Sequence, residues 1–145
     1  MSNKSQSSDT VGAVERAVGV VEALKQLDGA GVTELSDHLG MSKSGVYKQL
    51  STLVEAGIVT KQGTEYRLSF RLLSLGEYVR TNSRLYNVAA EEIDKLAEKN
   101  DHFAYLTVMD AKDCYCIHTA KGKNAVVPNL GVGNRIPFHH SAAGK

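Results

Sequence analysis

The apolar positions fall first into helical spacing. Val14, Ala17, Val18, Val21, Leu24 and Leu27 recur at intervals of three and four, which predicts a helix over 11–27 with one apolar stripe. Thr10 is its expected cap. Asp28-Gly29-Ala30-Gly31 stops it, because two glycines free the backbone for a turn. Thr33 reads as the N-cap of a short second helix, with Glu34 in a first turn that favours acids. Leu35 and Leu39 face inward, and Gly40-Met41 closes the element. Ser42 caps a third helix from about Lys43 to Ala56, which buries Val46, Leu50, Leu53 and Val54 and ends at Gly57.

A hairpin follows. Ile58-Val59-Thr60 and Tyr66-Arg67-Leu68 have strand character, with 61–65 between them as a glycine-containing loop. Phe70, Leu72, Leu73, Leu75 and Val79 predict another helix, with a boundary near Thr81-Asn82-Ser83. Leu85, Val88, Ala89, Ile93, Leu96 and Ala97 mark a further amphipathic helix closed by Asn100. The pattern then changes to strands at 103–109 and 114–119, around a turn at 110–113, with a short third strand at 125–127. Residues 128–137 hold both prolines and read as loop, and residues 1–9 read as a disordered polar tail. The expected fold class is therefore α+β: one domain over 10–70 and a second part over 71–145.

Composition narrows the function. The chain has 145 residues, 42% hydrophobic and 23% charged, as globular proteins do. Its 17 Lys+Arg against 16 Asp+Glu leave a net charge of +1, so any affinity for a polyanion must come from a local surface. No apolar run is long enough to span a membrane and the N-terminus lacks an apolar core, so a cytoplasmic protein without a signal peptide or membrane partner is expected.

Residues 33–56 have helix-turn-helix spacing, and an α-helix presented this way fits the major groove. The side of the second helix opposite Val46 and Leu50 carries Ser44, Lys48 and Ser51, flanked by Tyr47 and Thr52. No carboxylate occurs from Lys43 to Val54. Lys43 and Lys48 would neutralise phosphates of double-stranded DNA, and Ser42 with the first helical N–H groups would grip another. Ser44, Tyr47 and Ser51 could reach base edges. The hairpin adds Lys61, Gln62 and Arg67, where a wing would touch the DNA backbone. A helix with Lys and Ser outward is often only a solvated surface; the three helices, the capped turn and the following hairpin together favour DNA.

Three stretches make the chain resemble the IclR family of transcriptional regulators. Val14-Glu15-Arg16-Ala17-Val18 with Leu24 is similar to the family's first helix. Residues 43–50, from Lys43 through Gly45 to Leu50, are similar to its recognition helix. Tyr66-Arg67-Leu68 with Leu72-Leu73-Ser74-Leu75-Gly76 is similar to the wing and linker helix. A fourth stretch, 133–145, resembles a loop-to-helix passage in the effector domain. The resemblance implies a winged helix-turn-helix domain, a linker helix and a GAF-like α/β effector-binding domain truncated at Lys145. It implies a homodimer or tetramer on operator DNA, adjusted by a small organic effector that Arg135 and His139 would contact. Thr33 and Gly45 join the expected DNA-facing set. Relatives carry threonine where Gly45 stands and arginine where Lys48 stands.

Two other readings compete. Cys114, Cys116 and His118 alternate, so one strand face could present them to a metal, with His139 or His140 completing the set, as in a metal or redox sensor. Small buried cysteines are the commoner explanation. The helices could instead serve dimerisation alone, as an interaction module. Gly131-Val132-Gly133 lacks the strand-to-helix setting of a nucleotide fingerprint, no orienting acid accompanies a cysteine nucleophile, and neither an enzyme nor a cofactor is expected.

Overall fold

The computed structural model describes residues 10–136. The expected tail at 1–9, and His139, His140 and the 137–145 part of the loop-to-helix passage, lie outside the described residues. The chain forms two units, 1–74 and 75–145.

In the first unit, α1 (Gly12–Gln26), α2 (Val32–Leu39) and α3 (Lys43–Glu55) are followed by a hairpin of β1 (Val59–Gln62) and β2 (Glu65–Leu68). The core is Val20, Ala23, Leu24, Ala30, Leu35, Val46, Leu50, Leu53, Val59 and Tyr66. Each fully buried Leu or Val side chain contributes roughly 1.5–3 kcal/mol. Val46 and Leu50, one turn apart, lock α3 to α1 and α2 and so decide which side of α3 faces outward. The expected α1 stripe is rotated. Val20 and Ala23 join Leu24 inside, whereas Val14 and Val18 are exposed. Val54 is likewise exposed, because Leu50 and Leu53 already fill the α3 contact.

The caps differ from expectation at two helices. Val11 occupies the N-cap of α1 in place of Thr10, and Gly31 that of α2 in place of Thr33. A tertiary contact accounts for the second shift: Ala30 and Tyr66 exchange backbone hydrogen bonds of 3.1 and 2.9 Å. The chain is thereby extended up to Gly31, and Thr33 falls inside the first turn. Gly40 takes the left-handed conformation (φ 63°) at the end of α2. Ser42 caps α3 as expected, its hydroxyl accepting from Gly45 N at 3.2 Å. The hairpin turn is tighter than predicted. Lys61 and Gln62 belong to β1, and Gly63 (φ 62°) with Thr64 makes a two-residue turn, a glycine placement that suits right-twisted strands.

The second unit takes most of α4 (Arg71–Thr81), then α5 (Arg84–Asn100), β3 (Phe103–Asp110), β4 (Asp113–Lys121) and β5 (Arg135–Ile136), with sheet order β3-β4-β5, all antiparallel. Ser83 caps α5 by accepting from Tyr86 N. α5 lies on the sheet through Ala97 and its neighbours. Two expectations fail here. Residues 125–127 are not a strand. Residues 135–136, expected as loop, are one, paired with Cys114 and Tyr115. A strand needs a partner edge, and the edge of β4 is taken by the later segment. The register also shifts between Leu106 and Thr107, leaving Ile117 unpaired; such a bulge breaks the simple alternation expected for Cys114, Cys116 and His118.

Asp101 ties this unit together at the end of α5. Its carboxylate accepts from Asn124 N at 2.8 Å and Asn124 Nδ2 at 2.7 Å. The backbone N–H bond, then the side-chain amide bond, hold the Asp101 pKa below its ordinary value. A depressed carboxyl stabilises the fold above its unfolded-state pKa, and that contribution is lost as pH falls through the folded value. Protection of the Asn124 amide from exchange is therefore expected to fall on acidification below the ordinary Asp range. In an Asp101→Ala variant that protection is expected to be low already at neutral pH, with no further acid-side loss.

Candidate nucleic-acid interface

α3 presents its outward face because Val46, Leu50 and Leu53 are buried on the other. Ser42, Lys43, Ser44, Tyr47, Lys48, Ser51 and Thr52 are all exposed, Tyr47 to 54%. Among the described residues no carboxylate pairs with Lys43, Lys48 or Lys61, whereas Arg67, Arg80, Lys95 and Arg135 all have acidic partners. The cations of this face thus keep their charge available for an external anion.

The hydroxyls are more committed than the cations. Ser51 Oγ donates to Tyr47 O at 2.9 Å and Thr52 Oγ1 to Lys48 O at 3.1 Å. Ser44 Oγ lies 3.3 Å from Ser42 Oγ. In this arrangement Ser51 and Thr52 offer lone pairs outward rather than protons. Gly45 has a local cause: a Cβ there would stand 3.1 Å from Ser42 Oγ, so glycine leaves room for the capping hydroxyl.

The wing is positioned by Arg67 and Arg71. Arg67 Nη1 lies 3.7 Å from Asp28 and Nη2 3.4 Å from Glu65. It faces the α1–α2 turn, where Gly29 is closely approached by its side chain. Arg71 donates to Ala56 O, and Ser69 Oγ to Gly57 O, fastening the end of α3 to the start of α4. Lys61 stands opposite Tyr66 across the hairpin, its Nζ 5.5 Å from the ring centroid. Thr33 and Gln62 are exposed. A cleft of about 410 Å3 joins the start of α2, Tyr47 and the wing, and Thr33, Lys61, Thr64 and Tyr66 line it. Tyr66, which the sequence placed only in a strand of the hairpin, is buried at the side of this cleft.

Within the described residues of the second unit the metal set does not assemble, and His139 and His140 lie outside them. Among the described residues no group of three metal-ligating side chains comes together. Cys114 and Cys116 are buried and unbridged, and burial pushes the Cys116 thiol pKa up. His118 Nε2 instead meets Asp94 Oδ1 at 2.8 Å, with its ring against Tyr86. Arg135 is exposed, and its Nε lies 3.0 Å from Asp113.

The sequence model of the IclR helix-turn-helix domain matches residues 13–63, which span all three helices and the turn of the wing. The chain is 30% identical over 139 residues to the transcriptional regulator KdgR of Dickeya chrysanthemi, covering 94% of this chain and 46% of that protein. It is 27% identical over 135 residues to XynR of Escherichia coli, covering 91% and 54%. The chain therefore spans about half the length of these curated relatives. An IclR-family transcriptional regulator from Brucella abortus has the same fold, with TM-score 0.78 and 20% identity over 99% of this chain and 56% of that one. An IclR homolog of Microbacterium hydrocarbonoxydans, solved with 4-hydroxybenzoate, aligns with TM-score 0.70 and 19% identity over 91% and 56%. Residues 13–63 thus carry an IclR helix-turn-helix domain, and beyond it the chain stays similar to IclR-family transcriptional regulators through the sheet of the second unit.

Proposed function

We propose that this chain binds double-stranded operator DNA and regulates transcription, and that a small organic effector adjusts its grip. The outward face of α3 carries the reading: from Lys43 to Val54 it has no carboxylate, and neither lysine on it is neutralised within the described residues. Lys43 and Lys48 take phosphates, Ser42 and the first N–H groups of α3 take another, and Ser44, Tyr47 and Ser51 read base edges. Gln62 and Lys61 meet the backbone from the wing, with Thr33 beside them. Arg67 stays with Asp28 and Glu65 and holds the hairpin in place.

The protein acts in the cytoplasm as a homodimer or tetramer; among the described residues no helix is long and apolar enough to cross a membrane. None of the α4 side chains is buried among the described residues, and Phe70, just before it, is 91% exposed. Such exposed apolar side chains give a second copy surface to cover, and Val14 and Val18 on α1 of the first unit offer further apolar surface of their own. The effector is an organic anion, a class consistent with the hydroxybenzoate bound by the Microbacterium homolog, and Arg135 meets it after releasing Asp113.

Selection of binding sites from a pool of random duplexes is expected to enrich one two-fold symmetric sequence. Affinity should fall linearly in log–log form with salt, at a slope of about −0.9 per phosphate contacted. Failure to enrich any sequence, together with salt-insensitive association, would favour a protein-interaction module. Stoichiometric zinc uptake in equilibrium dialysis would favour the sensor.

A further inference from the structure

The cleft beside the recognition helix holds a group that the fold leaves unsatisfied. Tyr66 is only 4% exposed, yet its hydroxyl has no hydrogen-bond partner among the described residues. Buried tyrosine hydroxyls normally find one, because a stranded polar group costs free energy. Tyr66 cannot turn away to seek it. Its backbone is bonded to Ala30 on one side and paired with Lys61 on the other. The cleft it lines also receives Lys61, Thr33, Thr64 and Tyr47, and no carboxylate. Lys61 lies over the Tyr66 ring at 5.5 Å, which steadies an otherwise mobile ammonium. One fixed cation, one buried donor and several hydroxyls, with no acid among them, suit a single tetrahedral anion.

We infer that this cleft seats one phosphate group, the Tyr66 hydroxyl donating to it and the Lys61 ammonium neutralising it, and that the phosphate belongs to the backbone of bound duplex DNA. The inference rests on the DNA-binding reading above. A duplex that takes α3 into its groove carries phosphates along the groove edges, and the cleft opens between that helix and the wing. Tyr66 thereby becomes a contact residue as well as core, and the hairpin a clamp on one phosphate.

Tyr66→Phe keeps the ring, the packing and the lysine contact but removes the donor. Affinity for a fixed mixed-sequence duplex, followed by fluorescence anisotropy over a salt series, is expected to fall about tenfold in this variant with an unchanged salt slope. Lys61→Gln should instead lower the slope by about one. The double variant should lose less than the two single losses combined, because both residues serve one phosphate. If Tyr66→Phe binds as tightly as the parent, or the two effects simply add, the seat is overturned while DNA binding stands. If the parent itself shows no salt-dependent association, the functional reading fails first. Inorganic phosphate, titrated without DNA, is expected to show no saturable binding; saturable binding lost in Tyr66→Phe, with duplex affinity intact, would overturn the duplex as its source.

Discussion

Reversing the charge at Lys48 is expected to weaken duplex binding by about a hundredfold or more, since losing one partner of an interfacial charge pair costs about 2–5 kcal/mol and the new carboxylate also repels phosphate. The fold should not notice. Lys48 is exposed, pairs with no acid among the described residues, and lends only its carbonyl, to Thr52. Glutamate is also a good helix former. Lys48→Glu should therefore keep the parent's thermal transition while losing the gel shift. Lys48→Gln should fall between them and reduce the salt slope by about one. A Lys48→Glu protein that still shifts DNA at parental concentrations would mean that α3 is not the element in the groove.

The span of α3 was readable because its determinants are local. Ser42 at one end, Gly57 at the other and Val46, Leu50 and Leu53 between them specify a helix and its buried side. Where a distant residue decides, the pattern misleads. Thr33 has the chemistry of an N-cap, but the Ala30–Tyr66 bridge moves the start of α2 to Gly31. Arg67 stands 3.7 Å from Asp28, a neighbour far away in sequence that its own strand does not announce. Val126 and Val127 have strand propensity, yet β4 pairs with Arg135 and Ile136 instead. Alternation placed Cys114, Cys116 and His118 on one face, and the bulge at Ile117 interrupts it. A bulge or a strand partner is a property of the sheet, and nothing within residues 113–121 announces it.

Tyr66 shows the same limit from the side of function. Its strand character was legible, and the structure places it in the core. That its hydroxyl lacks a partner emerges only once Ala30, Lys61 and Thr33 are brought around it. A polar group that the fold fails to satisfy is a statement about three dimensions. Lys43 and Lys48 were legible as cations for the opposite reason: the absence of acids along α3 from Lys43 to Val54 is itself a sequence pattern.

Adding one methyl group at Gly122 is expected to be the most damaging small change in the second unit. Gly122 follows β4, and its N–H donates to His102 O at 3.0 Å. A Cβ at this position would stand 2.5 Å from Asp101 Cα, 2.6 Å from Asp101 C and 2.7 Å from its Oδ1. Two of these atoms are backbone, so no rotamer change relieves the overlap. Asp101 cannot readily retreat. It holds the left-handed conformation (φ 51°, ψ 41°) that ends α5, and both its carboxylate oxygens are bonded to Asn124. Relief requires α5 and β4 to separate at this junction, which breaks the bonds of Gly122 and Asn124 together. Overpacking of this kind costs about 3 kcal/mol, equivalent to roughly 10–20 °C in the melting temperature of a unit this size. Amide exchange should localise the damage. In Gly122→Ala, protection at Gly122 and Asn124 and along β4 is expected to collapse. The α3 amides that depend on Val46 and Leu50 should keep theirs. Parental protection at Asn124 in that variant would show that the junction accommodates the methyl group without opening, and that the predicted overlap is relieved elsewhere.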